Sequence, residues 1–250
     1  MKILSCEISE YSFGESVEKI PDIVRKVKRR GKAELALIDR NLAGTLEFYK
    51  CCRENGIKPI FGQKIRLGEE NIALFCKDFE AYKILCRNSL ALSSTLNEKE
   101  IPFTKEEASH LICSANHSDF QFLQNLFGKN FILPEDLGNL ADEIPCIFPD
   151  DYFEPANSLK RRRESGLDFD VSESIANLKE KYGSDHVARI AAFGYTRGFI
   201  HRGLHATGHI ITKEAVCNYV PIFKDERTGE ICCQYSWKEV SDWGVCKWDF

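Results

Sequence analysis

Long apolar runs are absent. None of the 250 residues sits in a stretch approaching the roughly 18 apolar residues that a membrane span requires. The opening residues Met1-Lys2-Ile3-Leu4-Ser5-Cys6-Glu7 lack the apolar core of a secretory leader. A cytoplasmic location with no membrane association is therefore expected. No Cys-x-x-Cys pair occurs, and the 11 cysteines are odd in number. Two pairs, Cys51-Cys52 and Cys232-Cys233, are sequence neighbours, which seldom bridge each other. Free thiols and no structural zinc are expected, and Cys76, Cys86 and Cys113 fall in apolar patterns that suit a small core residue. Internal repeats and low-complexity tracts are also missing. The net charge of -4 excludes a uniformly basic coat, though not a local basic face.

What is present is ordinary globular material, 43% hydrophobic and 29% charged. Residues 2 to 8 read as a strand. Val17, Ile20, Ile23, Val24 and Val27 give helical spacing over Ser16–Arg30, which Gly31 ends. Strands at 35–38, 57–65 and 72–76 alternate with helices at 45–55 and 79–91. That alternation predicts βαβ units and a mainly parallel sheet. Residues 133–155, rich in Pro, Asp and Asn, mark the domain boundary. Beyond it, 167–171 reads as a strand and 172–182 as a helix with Ser172 as N-cap. Gly194 and Gly198 break the apolar run after Val187, and the remainder is strand-like.

Two groups of residues carry the chemistry. Asp168-Phe169-Asp170 places two carboxylates on one face of a strand, since side chains alternate. Such carboxylates repel unless a divalent cation neutralises them, and oxygen donors suit Mg²⁺. Alone, this short pattern equally fits a solvent-facing strand. The basic run Lys160-Arg161-Arg162-Arg163 just before it would favour phosphate, whereas the run at 25–30 reads as a solvated helix face. His201, His205 and His209 stand four apart, but Gly203 and Gly208 speak against a helix. On a strand the three would spread too far to meet at one ion.

Segments in the first half keep the order and approximate spacing of a known family. Ile8-Ser9-Glu10-Tyr11-Ser12, then Ala36 through Lys50, then Gly56-Ile57-Lys58-Pro59-Ile60-Phe61-Gly62 and Phe79 through Cys86 resemble the PHP domain of the bacterial DNA polymerase III alpha subunit. In the second half, Ser158 through Val171, Leu178 through Gly194, His205 through Ile211, Tyr219-Val220-Pro221-Ile222 and Gly244 through Phe250 resemble the palm of the same polymerase. The resemblance implies a distorted, incomplete PHP-like β/α barrel over residues 1–132, a linker over 133–157 and a partial, mixed α+β palm-like region over 158–250. It also places Asp168, Asp170 and Asp249 on the three catalytic, metal-holding positions. By that likeness the function is DNA-directed DNA polymerisation with two Mg²⁺ ions, acting on primer-template DNA and dNTPs alongside other replisome proteins.

The departures from the family are equally specific. Leu4, Cys6 and Ile8 stand where the family has three histidines, and Lys64 stands where it has a glutamate. Of the PHP ligands only Asp39 remains, with Arg40 beside it, so no phosphoesterase activity is expected. Most of the family's stretch between Gly194 and His205 is missing, and the triphosphate-holding Gly-Arg-Gly-Ser segment has no counterpart. Phe250 falls inside a family run, which leaves Asp249 at an expected frayed end. These departures point to reduced or absent independent activity. The alternative is a non-catalytic DNA- or replisome-binding relative, or a truncated gene product.

Overall fold

The computed structural model describes residues 4–97, 100–116, 121–139, 144, 165–170 and 172–250. Two compact units divide the chain, Met1–Phe148 and Pro149–Phe250. The expected linker and the basic run Lys160–Arg163 lie largely or wholly outside the described residues.

The first unit begins with β1 (Ser5–Glu7), followed by α1 (Ile20–Arg29) and β2 (Glu34–Leu37). Helix α1 buries Ile20, Ile23, Val24 and Val27, the one-sided stripe that its spacing predicts. It starts four residues later than Ser16 because Pro21 fits only the first turn, where its missing N–H costs nothing. The basic residues of this helix stay outside, with Arg25 paired to Asp22 and Lys26 to Glu18. Next come α2 (Thr45–Asn55), ended by Gly56 at φ 69°, β3 (Lys58–Leu67) and β4 (Glu70–Cys76). Helix α3 (Phe79–Leu92) is capped by Asp78, which accepts from the Ala81 N–H at 2.8 Å. The unit closes with β5 (Thr95–Leu96), α4 (Lys105–Ser109), β6 (Leu111–Ser114), α5 (Gln121–Phe127) and β7 (Phe131–Ile132).

The seven strands run in the order β1-β2-β3-β4-β6-β7, with β5 also paired to β3. This is an α/β fold with an incomplete barrel path. Most of its strand pairs are parallel, as the alternation predicts, β3–β5 and β6–β7 included, but two pairs are antiparallel. β1, β2 and β3 are parallel, but β3 pairs antiparallel with β4, and β4 antiparallel with β6. The cause is local: Leu67 pairs with Glu70, so Gly68 at φ 58° and Glu69 form a two-residue hairpin turn. Buried Leu35, Ile60, Ile65, Ile72, Leu74 and Phe75 fill the interior.

The second unit contains α6 (Ile175–Tyr182), β8 (Val187–Thr196), β9 (Phe199–Ile211), β10 (Ile222–Lys224), β11 (Ile231–Ser236), α7 (Trp237–Trp243) and β12 (Lys247–Asp249). Its mixed sheet runs β10-β11-β8-β9-β12. The cap of α6 is Ser174, which accepts from the Asn177 N–H, and not Ser172. Gly194 does not break β8. It lies opposite His201, whose ring sits where a Cβ would be. The hairpin turns instead at Arg197 (φ 53°) and Gly198 (φ 85°), so two residues join the strands.

Candidate functional site

Leu167 to Asp170 have no regular secondary structure, contrary to the strand expected there. Their alternation nevertheless holds. Leu167 and Phe169 pack on the cluster of Leu178, Val187, Ile211 and Trp248, while Asp168 and Asp170 are exposed. The segment lacks ladder partners, and side chains and local turns hold it instead. The Tyr182 hydroxyl accepts from the Asp168 N–H at 3.0 Å and donates to the Asp168 carbonyl at 2.7 Å. The Lys181 ammonium donates to the same carbonyl. Asp170 accepts from the Ser172 N–H at 2.8 Å, and that bond holds its carboxyl below the usual carboxylate range. The Asp168 carboxylate accepts no hydrogen bond among the described residues.

Asp249 ends edge strand β12, opposite Gly208 of β9, and is exposed. Its carboxylate accepts from the Thr207 hydroxyl. The end of the chain is tied down, since Phe250 N–H donates to the Thr207 carbonyl at 3.3 Å. The expected frayed end is thus held by backbone and packing. Residues flanking the three carboxylates meet directly. The Phe169 ring lies 4.5 Å from Trp248 and 6.1 Å from Phe250, between centroids. The two acidic segments are therefore neighbours through their apolar faces, with the carboxylates on the solvent side.

The donor set is hard oxygen, which is what Mg²⁺ takes. The geometry does not gather it: among the described residues, no group of three or more His, Cys, Asp or Glu could hold a metal ion. Each histidine of the 201-205-209 series has other company. His201 covers Gly194, and His205 stacks on Trp237 at 4.9 Å. His209 is buried, with Nδ1 2.8 Å from the Thr207 carbonyl. Burial pulls its pKa below the ordinary imidazole value.

In the first unit, buried polar groups gather around Asp39. Asp39 follows β2 and is almost fully buried. It accepts from Ser9 N–H and Ser9 Oγ, both at 2.6 Å, and from Ser12 Oγ at 2.7 Å. Burial pushes its carboxyl up, against the lowering effect of those bonds. Asp39 is thus the acceptor of a serine cradle. Burial, aided by Glu7, pushes the Cys6 thiol up to about 12, so it is protonated near neutral pH in the absence of a cation. Lys64 donates to Glu15 at 2.9 Å, and the Arg40 guanidinium donates to the same carboxylate. Two protein cations thus converge on one carboxylate beside Asp39. Partial burial would raise the Glu15 pKa, but the bonds from Arg40 and Lys64 outweigh it and hold the carboxyl low.

The PHP domain family model matches residues 8–221. The chain belongs to the PHP domain family. A second model, the bacterial DNA polymerase III alpha NTPase domain, matches residues 196–250, overlapping the end of the PHP match. Similar curated proteins are DNA polymerase III alpha subunits. That of Halalkalibacterium halodurans is 35% identical over 105 residues, 40% of this chain and 9% of the relative. That of Treponema pallidum is 45% identical over 107 residues, 43% of this chain and 8% of the relative. That of Chlamydia muridarum is 26% identical over 183 residues, 58% of this chain and 15% of the relative. The PHP chain thus aligns with only 8 to 15% of the length of these relatives. Among its described residues, no helix is long and apolar enough to cross a membrane.

The hydrogen-bond partners of these carboxylates and of the Asp168 backbone leave little local trace in the sequence. Ser9 and Ser12 were visible as motif residues but not as Asp39 donors. Thr207 lies 42 positions from Asp249 and Tyr182 14 from Asp168, and no periodicity signals either pair.

Proposed function

We propose that this chain is a polymerase III alpha-type nucleotidyl transferase palm joined to a metal-free PHP domain. Asp168, Asp170 and Asp249 would hold two Mg²⁺ ions, and Lys160, Arg161, Arg162 and Arg163 would meet DNA phosphates. When bound, the ions would supply activation of a primer 3′-hydroxyl and charge neutralisation on the departing pyrophosphate. The one observation that carries this reading is the Phe169–Trp248–Phe250 cluster, which brings both acidic segments to one place with every carboxylate exposed. In this reading the chain's own residues restrain the ligands. Tyr182 and Lys181 fix the backbone of Asp168, Ser172 orients Asp170, and Thr207 orients Asp249. Primer-template DNA, dNTPs and other replication proteins are the partners.

Primer extension with Mg²⁺ and dNTPs tests the reading. Incorporation that disappears in Asp168→Asn is expected. A second reading, a non-catalytic DNA- or replisome-binding relative, draws on the dispersed state of the carboxylates. DNA binding without any incorporation would select that reading.

A further inference from the structure

The first unit contains a cleft of about 240 Å³ lined chiefly by Glu15, Arg40, Lys64, Arg66 and Thr95. Three cations face one carboxylate there. That carboxylate is shared: Glu15 accepts from both Arg40 and Lys64. Arg40 also donates to Asn71 Oδ1 at 2.8 Å, and Arg66 Nε to the Gly68 carbonyl at 3.3 Å. A guanidinium has five N–H donors and an ammonium three, so each cation keeps donors beyond the bonds it makes here. The backbone beneath is fixed. Lys64 N–H donates to the Asp39 carbonyl at 3.0 Å, Gln63 Nε2 donates to the Arg40 carbonyl at 3.1 Å, and Arg40 N–H donates to Ser12 Oγ at 3.2 Å. The cations are held by strand and loop before any ligand arrives.

One effect opposes an anion. The C-terminus of α3 ends at this cleft and carries roughly half a negative charge. Ser93 and Ser94 cover that end by donating to the carbonyls of Leu90 and Ala91, at 2.7 and 2.9 Å. Three full positive charges outweigh one carboxylate and a covered helix end. Tetrahedral oxyanions are the ligands that convergent guanidinium and ammonium donors fit best.

We propose that this cleft binds the phosphoryl anion of a small phosphate compound through Arg40, Lys64 and Arg66, with no metal ion. The inference concerns the first unit alone and stands whether or not the aspartates of the second unit polymerise DNA. The test is calorimetric titration of the full chain at matched ionic strength with inorganic phosphate, 5′-dAMP and deoxyadenosine. Saturable binding of the two phosphate compounds and none of deoxyadenosine is expected. Tighter binding of 5′-dAMP identifies a nucleotide phosphate as the ligand, and equal binding identifies free phosphate. Two charge variants set the sign. Glu15→Gln removes the competing carboxylate and should tighten binding about fivefold, while Lys64→Glu should weaken it by at least about fivefold. Far-ultraviolet dichroism establishes that both remain folded. Absence of saturable phosphate binding, equal binding of deoxyadenosine, or two variants that fail to move affinity in opposite directions overturns the proposal.

Discussion

Replacing Asp39 tests whether its carboxylate has a structural role. Its oxygens accept from Ser9 N–H, Ser9 Oγ and Ser12 Oγ, all within 2.6–2.7 Å. Asp39→Ala deletes the acceptor for three buried donors. The two hydroxyls can rotate toward other oxygens, but the Ser9 N–H cannot. An unsatisfied buried donor costs about 1–3 kcal/mol, so the variant should lose on the order of 3 kcal/mol. That is a large share of the roughly 5–15 kcal/mol that keeps a domain folded. Asp39→Asn keeps an acceptor and sheds a buried charge, and should stay within about 1 kcal/mol of wild type near neutral pH. The pH dependence has a definite sign. Burial raises the Asp39 pKa above its ordinary 3.8. A raised carboxyl contributes stability that is complete below 3.8 and is lost as pH rises through the folded value. Wild type should therefore gain on Asp39→Asn as pH falls from about 7 toward about 4. Urea denaturation of the three proteins across that range is the assay. Equal losses in the Asn and Ala variants, or a wild-type advantage that grows with rising pH, would refute the cradle.

Other expectations follow from particular contacts. Gly62→Ala would put a Cβ 2.6 Å from the Leu74 carbonyl oxygen and 2.9 Å from Ile38 Cγ2, and should cost about 1–3 kcal/mol in thermal denaturation. Tyr182→Phe keeps the ring against Phe169 but removes the hydroxyl that spans Asp168 N–H and C=O, a loss of about 1 kcal/mol with faster amide exchange at 167–170. The lowered His209 pKa means that its contribution is present above the ordinary 6.5 and is lost as pH falls through the folded value. Thermal scans of His209→Gln should show a flatter decline in stability over that acidic window, and an unchanged slope would discount the histidine.

The apolar patterns of this chain were the most readable part. Helices α1, α2 and α3 sit where periodicity predicts them, because their buried stripes decide their pairing. Strand direction was less accessible. The hairpin at Gly68–Glu69 turns β4 back on β3, and a single glycine between two strand-like runs gives only a weak sign of it. Asp39 was visible as a motif residue, yet its neighbourhood of Ser9, Ser12, Glu15, Arg40 and Lys64 is set by tertiary contacts. In the second unit the alternation of Asp168, Phe169 and Asp170 was legible. Its state as a clamped irregular segment was not, since Tyr182 and Lys181 act from the far end of a helix. The joining of β8 and β9 through Arg197 and Gly198 also depended on cross-strand register, which no local signal fixes.

Binding of Mn²⁺ as a spin-visible substitute for Mg²⁺ addresses the carboxylates directly. Electron paramagnetic resonance of free Mn²⁺ in the presence of primer-template DNA and a dNTP counts the ions that the chain takes up. The account predicts two ions per chain, a reduced count in Asp249→Asn and none in the Asp168→Asn, Asp170→Asn double variant. Wild type that takes up no more Mn²⁺ than the double variant would contradict it.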